Sequence, residues 1–217
     1  MQQSERWTDV QNALNQALDG RQKQMWTAIP GIVVSRSGNN VSVNPAIQAI
    51  LSDKDGKLTN TNLPQLINVP LVMPGGGGFA VTLPIGVGDE VLVVFASRCI
   101  DGFWQKGGIQ PQLEVRMHDL SDGFAFPAPM SNPKELSNIS STTAQLRSAD
   151  GGTYVEIASG GAVNVVAPGG VTITGNLKVT GEITAGSGGG DSVTLQLHKH
   201  TNTQPGGGQS GIPLAGS

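Results

Sequence analysis

The last third of the chain, from Gly151 to His200, repeats a short apolar pattern separated by glycines. Its apolar residues come in pairs two positions apart, at 155 and 157, 163 and 165, 171 and 173, 177 and 179, and 183 and 185. Side chains two apart point to the same face of a strand, so each pair marks a short strand with one apolar face. Short strands at a nearly fixed period predict a β-helix or a related solenoid.

A single copy of this segment has no evident cover for its apolar pairs. Burying one pair contributes about 3–6 kcal/mol, at about 1.5–3 kcal/mol per side chain. Ordering the backbone costs about 1–2 kcal/mol per residue. Since nothing else in the sequence suits as a lid, the pattern predicts self-association, with copies wound about a common axis and the apolar pairs inside. The alternative is a flat meander packed on the preceding domain.

The composition favours turn-rich β structure and argues against a large enzyme core. Charged residues make up 13%, aromatic residues 4%, and 31 of the 217 residues are glycine. The net charge of -3, without a long basic run, predicts no nucleic-acid partner. The longest apolar run, Val91 to Ala96, is too short to span a bilayer, and the N-terminus lacks the apolar core of a signal peptide.

No residues in the sequence form a convincing catalytic set, and we predict that the protein is not an enzyme. The single cysteine, Cys99, is interpreted as a small buried hydrophobic residue. His118 has no second histidine or cysteine nearby. Asp119 and Asp122 beside it have no partner nucleophile for acid–base chemistry.

The first 24 residues are predicted to be a helical segment. Four apolar residues at spacings of three, four and four share one helix face over residues 4–19. They are Trp7, Val10, Leu14 and Leu18. Ser4 suits the start of this helix, and Gly20 suits its end.

Residues 25–127 alternate apolar and polar residues in short runs, and about five such strands fit a small barrel of the OB type. Within this domain, residues 52–63 are predicted to be a loop and residues 66–74 an edge strand or an extended segment. FAVTLPI and DEVLVVFAS are predicted strands, joined at Gly86 to Asp89. Gly75 to Gly78 are predicted to form a hairpin or loop, because the Lys-Ser/Thr of a phosphate loop is missing. Residues 128–150, rich in Ser, Thr, Asn and Pro, are predicted to be a linker.

His198 and His200 are the strongest candidate metal ligands in the sequence. At positions i and i+2 they point to the same face of a strand. Two imidazoles form a weak site, but three copies would bring six nitrogens around one ion. Six nitrogens favour octahedral Fe(II), Co(II) or Ni(II) over tetrahedral zinc. The glycines that follow, Gly206 to Gly208, allow the tail to fold back over this end.

Residues 25–217 resemble the central spike proteins of contractile phage tails, the family of the baseplate assembly protein V and the OB-fold membrane-piercing spikes. The stretch RMHDLSDGFAFPAP, from Arg116 to Pro129, is similar to the sequence that closes the OB domain of that family. The end, with His198 and His200 followed by glycines and Gly211-Ile212-Pro213, is similar to the family's metal-binding tip.

The resemblance implies an all-β homotrimer with an N-terminal helix, an OB-fold barrel and an intertwined triple-stranded β-helix. In this chain the parts would be residues 1–24, the barrel at 25–127, the linker at 128–150, the shaft at 151–197 and the apex at 198–217. It implies one iron ion per trimer, held by six histidine nitrogens from His198 and His200.

The resemblance also implies what the trimer does. It would sit in the tail baseplate of the virion after assembly in the host cytoplasm, bind the baseplate hub at its OB end and plug the tail tube. It would pierce the host outer membrane when the tail contracts. The alternatives are a trimeric tailspike or fibre that binds the host surface, and the equivalent spike of a tailocin or a type VI-like injection system.

Overall fold

The computed structural model describes residues 3–128, 131–188 and 192–195. Helix α1 covers Gln3–Lys23 and helix α2 covers Asp101–Lys106, with a 3-10 turn at Asn132–Lys134. The strands are β1 Ala28–Ser37, β2 Asn40–Pro45, β3 Ala49–Ser52, β4 Leu58–Thr61, β5 Leu66–Pro70, β6 Gly75–Gly76, β7 Phe79–Ala80, β8 Glu90–Phe95, β9 Gly123–Pro127, β10 Thr143–Arg147, β11 Tyr154–Ala158, β12 Val163–Val166, β13 Thr184–Ala185 and β14 Val193–Thr194. The described residues are therefore mostly β, as the sequence predicts.

The chain divides into two compact units. The first contains residues 1–143 and 148–151, and the second contains residues 144–147 and 152–217. No helix among the described residues is long and apolar enough to cross a membrane.

Five strands of the first unit form one curled antiparallel sheet in the order β5-β2-β1-β8-β9. Its two edge strands approach each other through a parallel bridge between Leu71 and Ala125, where the Val72 amide donates to the Ala125 carbonyl at 2.8 Å. If these five strands are numbered 1 to 5 in chain order, their order across the sheet is 3-2-1-4-5. The third and fifth strands are the ones joined by the parallel bridge. This arrangement is OB-like and confirms the predicted barrel class at that level.

The core of the first unit lies inside this curl because its strands alternate buried and less buried residues. In β8 the buried positions are Val91, Val93 and Phe95, while the residues between them are only partly covered. Strand β2 buries Val41 and Val43 in the same way. Such alternation is expected of strands that cover a core with one face. The edge of the Trp26 ring packs against Phe95, with ring centroids 6.3 Å apart.

Three local predictions for the first unit differ from the structure. Helix α1 passes through Gly20 and ends at Lys23. Residues 52–63 are not a plain loop, because they contain β4, which pairs with β3 as a hairpin. In the turn of this hairpin, Asp53 Oδ1 accepts hydrogen bonds from the Asp55 and Lys57 amides, both at 2.9 Å. Residues 81–88 form no strand.

Side-chain bonding accounts for the missing strand at 81–88. The carbonyl oxygens of Leu83 and Ile85 accept hydrogen bonds from the Arg36 guanidinium instead of a neighbouring strand. The glycine run does form the predicted hairpin, between β6 and β7, with Gly77 and Gly78 at φ of 60° and 85°. Positive φ at both central residues is the requirement of a type I′ turn.

The second unit contains a three-stranded antiparallel meander in the order β10-β11-β12. Strand β10 lies within the stretch predicted to be a linker, and its Ala144 and Leu146 alternate with polar residues. The predicted pairs 155/157 and 163/165 lie on β11 and β12. Residues 171–179 form no strand within the chain. A β-strand needs a hydrogen-bonding partner, and the described residues provide none for this stretch.

Candidate functional site

The segment predicted to close the OB domain is anchored by Arg116, whose guanidinium lies among carboxylates. Its Nε atom donates to Asp122 Oδ2 at 3.1 Å, and its Nη2 atom donates to Asp122 Oδ1 at 3.0 Å and to Asp101 Oδ2 at 2.8 Å. Nη1 donates to Glu114. These carboxylates, and the Asp122 bonds above all, raise the pKa of Arg116 well above its usual value. Charged hydrogen bonds of this kind are the stronger class.

Asp122 is the centre of this cluster because it is fully buried. Besides Arg116, its Oδ1 atom accepts a hydrogen bond from the Ile100 amide at 3.0 Å, directly before helix α2. Asp101 begins that helix, and its hydrogen bond from Arg116 holds the pKa of its carboxyl below the usual range. The cluster therefore joins the start of α2 to the start of β9. It is suited to a structural role, because no buried side-chain nitrogen or oxygen atom among the described residues lacks a hydrogen-bond partner.

The same cluster contains the donors Cys99, Asp101 and Asp122, which lie within 4.8 Å of one another and form a metal-compatible group among the described residues. The Arg116 guanidinium is bonded to each of them and donates to the Cys99 sulfur at 3.2 Å. The Arg116 guanidinium therefore supplies the positive charge that a metal ion would supply at this group. Sequence reasoning missed this cluster, because its members are spread along the chain from Cys99 to Asp122.

His118 and Asp119 have structural contacts. The Trp26 amide donates to the His118 carbonyl at 3.0 Å, and His118 Nδ1 lies 3.2 Å from the Trp26 carbonyl oxygen. Asp119 Oδ1 accepts from the Ser121 amide at 2.9 Å, and this bond lowers the pKa of the carboxyl. The loop is thereby tied to the residue that follows helix α1.

The predicted metal ligands, His198 and His200, lie outside the described residues. Their roles as metal ligands stay predictions.

The second unit presents an apolar face on its meander. Val155 lies opposite Val165, and Ile157 lies opposite Val163, so the two predicted pairs share one side of the sheet. This agrees with the periodicity of the sequence. Leu146 on β10 is exposed as well.

The opposite side of the meander is polar and better covered. On β10 and β11 the partly buried positions alternate with the exposed apolar ones. Glu156 accepts hydrogen bonds from Gln145 Nε2 at 2.8 Å and from Asn164 Nδ2 at 3.0 Å, across all three strands. Within one chain the sheet thus covers its polar side more than its apolar side, the reverse of an ordinary half-buried sheet.

The exposed apolar residues continue along the rest of the second unit, and we call this set the apolar row. Its large side chains are 37–65% exposed, and they are Val155, Ile157, Val163, Val165, Val171, Ile173, Leu177, Val179, Ile183, Val193 and Leu195. So many exposed large apolar side chains within one unit are typical of a protein interface. The apolar row is therefore our candidate functional site.

Comparison with known proteins gives one family. None of the curated proteins compared with the chain matches it. Residues 29–128, which contain the whole OB-like sheet, match the model of the family described as the Phage protein Gp138 N-terminal domain. The chain therefore carries a phage protein domain, which indicates a structural role as a component of the virion.

Proposed function

We propose that the protein is the central spike of a contractile phage tail and works as a homotrimer. Its OB-like barrel binds the baseplate hub and plugs the tail tube. Residues 151–197 form an intertwined β-helix shaft, and residues 198–217 form the apex. When the tail sheath contracts, the spike pierces the host outer membrane.

The observation that carries this proposal is the apolar row. Each of its eleven large side chains keeps 37–65% of its surface exposed in the single chain. At about 25 cal/mol per Å² of apolar surface, covering such a row stabilises an assembly strongly. Residues 171–179 have no strand partner among the described residues of their own chain, as expected of strands that pair with other copies. The domain match to a phage protein supports the same assignment.

The mechanism is mechanical. In an interwound trimer no strand can leave without disrupting its neighbours, so forced unfolding is slow and the shaft is kinetically stable. The polar side, with its hydrogen bonds around Glu156, faces outward when the apolar row faces the axis. A polar exterior lets the shaft pass through lipid without staying embedded.

Iron fits the chemistry of the proposed apex. His198 and His200 from three copies provide six imidazole nitrogens, a donor set that suits an octahedral Fe(II) ion. The ion would tie three chains together at the point that first meets resistance. Imidazole binds a metal only when it is neutral, so the proposed site loses iron as the pH falls well below about 6.5.

The test uses two substitutions at neighbouring exposed positions. Ile173 belongs to the apolar row and is 58% exposed, and Thr174 beside it is also exposed. In a single chain both positions are exposed, so neither Ile173→Asp nor Thr174→Asp places its carboxylate in a buried position. In the proposed shaft only Ile173 faces the axis, so only Ile173→Asp buries three carboxylates together.

Native mass spectrometry of the untagged chain measures the outcome. We expect three copies for the wild type and for Thr174→Asp, and loss of the trimer for Ile173→Asp. Elemental mass spectrometry of the wild type should give one iron per three chains. A wild-type protein that stays a single chain at micromolar concentration would refute the spike, and a trimer without metal would remove His198 and His200 from the proposal.

A further inference from the structure

Helix α1 carries an apolar stripe that the rest of its unit leaves uncovered. Val10, Leu14 and Leu18 are four residues apart, which places them on one face. Their exposed fractions are 62%, 58% and 57%. All side chains from Asp9 to Lys23 are exposed, so the barrel does not bury any face of this part of the helix.

The helix leaves the barrel from a fixed point. The Trp26 amide donates to the His118 carbonyl at 3.0 Å, and the Trp26 ring packs against the core. The amides of Gln24 and Met25 donate back to the carbonyls of Arg21 and Gln22, which leads the chain directly from the helix into this anchor. In a symmetric trimer, three such helices start from three equivalent points.

The distribution of charge favours another copy as the partner of this stripe. Residues 10–18 contain no charged residue. The charges lie near the two ends, with Glu5, Arg6 and Asp9 before this stretch and Asp19, Arg21 and Lys23 after it. Acidic and basic residues are equal in number, and each end contains both signs. The net charge is only −1 at the first end and +1 at the second, so identical parallel helices lie side by side with little electrostatic repulsion at either end.

A membrane surface is a poorer partner for the same stripe. Helices that bind lipid surfaces carry Lys and Arg along their polar face. The polar face of α1 between residues 10 and 18 consists of Gln and Asn. A strongly charged protein partner finds no complementary charge there either.

We propose that α1 is a second trimerisation element, in which Val10, Leu14 and Leu18 of three copies pack around one axis. The number three rests on the proposed spike function. The inference adds that the chains are joined at their N-terminal end as well as along the shaft. Most helical stability in proteins comes from packing of an apolar face, so packing of α1 against its copies would stabilise it.

Disulfide cross-linking in the full chain tests this packing. In a Cys99→Ser background, Leu14→Cys places a thiol on the stripe, and Gln16→Cys places one on the opposite face of the same helix turn. We expect mild oxidation to link Leu14→Cys chains in pairs, with a yield unchanged over a tenfold range of protein concentration. Gln16→Cys chains should stay unlinked at the same concentrations.

Native mass measured on the same samples separates the two proposals. Leu14→Cys chains that stay unlinked in an intact trimer would overturn the helix packing and leave the spike standing. Unlinked chains that are also single would overturn both. Equal linking of the two variants, or a yield that depends on concentration, shows random collision and counts against the packing.

Helix content gives a second readout. Helix α1 supplies 21 residues and α2 only six, so α1 dominates the helical signal of the described residues. We expect Leu14→Asp to reduce the circular dichroism at 222 nm by roughly half, because α1 loses its packing and frays. Gln16→Asp is the matched control. Equal signals from both variants would show that the stripe does not stabilise the helix.

Discussion

The most informative perturbation of the barrel is Arg116→Met, which removes one cation and keeps most of the side-chain volume. Arg116 is the common donor to Asp122, Asp101 and Glu114. Of these, only Asp122 is fully buried, whereas the side chains of Asp101 and Glu114 are 38% and 59% exposed. The substitution therefore leaves one carboxylate buried without its cation.

The expected loss of unfolding free energy depends on that burial. Removing one partner of a buried ion pair costs about 3–5 kcal/mol, whereas exposed pairs contribute about 0–1 kcal/mol each. Since the Arg116 side chain keeps 20% of its surface exposed, water reaches the site after the substitution. We therefore expect Arg116→Met to lose about 3 kcal/mol of unfolding free energy, the lower end of the range for buried pairs.

Adding Asp122→Asn provides the internal check. Asparagine keeps the Oδ1 acceptor that the Ile100 amide uses, but it removes the uncompensated charge. The double variant should therefore recover about 1–2 kcal/mol relative to Arg116→Met alone. Arg98→Met is the matched control, because Arg98 is exposed and, among the described residues, donates to the Ser97 carbonyl next to it and to no carboxylate.

Urea unfolding monitored by tryptophan fluorescence measures these differences, since the Trp26 ring packs against Phe95 in the barrel core. Protein concentration must be the same in all samples, because the stability of an oligomer depends on it. If the unfolding free energies of Arg116→Met and Arg98→Met agree within about 0.5 kcal/mol, the cluster does not stabilise the barrel and the reasoning is wrong. A double variant less stable than Arg116→Met would also refute it.

Three further predictions concern pH, packing and metal. The pKa of Asp101 is lowered in the folded state, so its contribution to stability is present above about pH 4 and is lost as the pH falls through the folded pKa. Asp101→Asn should therefore reduce the loss of stability at acid pH, measured as a fluorescence titration. Gly123→Ala should lower the free energy of thermal unfolding by about 1–3 kcal/mol, because the new Cβ would lie 2.7 Å from a methyl carbon of the core residue Val93. Gly160→Ala is the control: its Cβ would meet nothing within 4 Å, so the stability should change little. His198→Ala should abolish iron binding while the native mass stays that of three chains. Wild-type protein that keeps its iron through dialysis at about pH 4 would contradict an accessible histidine site.

The sequence predicts the parts of this fold that depend on local pattern. The alternation in β8 and the positive-φ glycines of the β6–β7 hairpin are local, and both are found. The apolar pairs of β11 and β12 fall on one face for the same reason. A spacing of two fixes the side of a strand whatever lies beside it.

Features that depend on distant partners were missed. Arg116 meets Asp101 and Cys99 only because the barrel brings together residues 15 and 17 positions apart. The β3–β4 hairpin is built from a polar stretch, stabilised by hydrogen bonds to Asp53 that no hydrophobic pattern reveals. Strand β10 is short, and its single large apolar residue, Leu146, gives too weak a signal among polar neighbours.

The inverted meander of the second unit has a consequence for biosynthesis. The eleven large side chains of the apolar row are at least 37% exposed in the single chain, so a newly made chain leaves the ribosome with this surface uncovered. In the proposed spike this surface is covered only when three copies meet. Before that it is open to off-pathway association, so the yield of soluble protein depends on how assembly competes with aggregation. Slow expression at low temperature should favour soluble protein, because collapse onto foreign chains weakens with the hydrophobic driving force. The apolar row that would make the proposed shaft durable would thus make the unassembled chain the species most prone to aggregation.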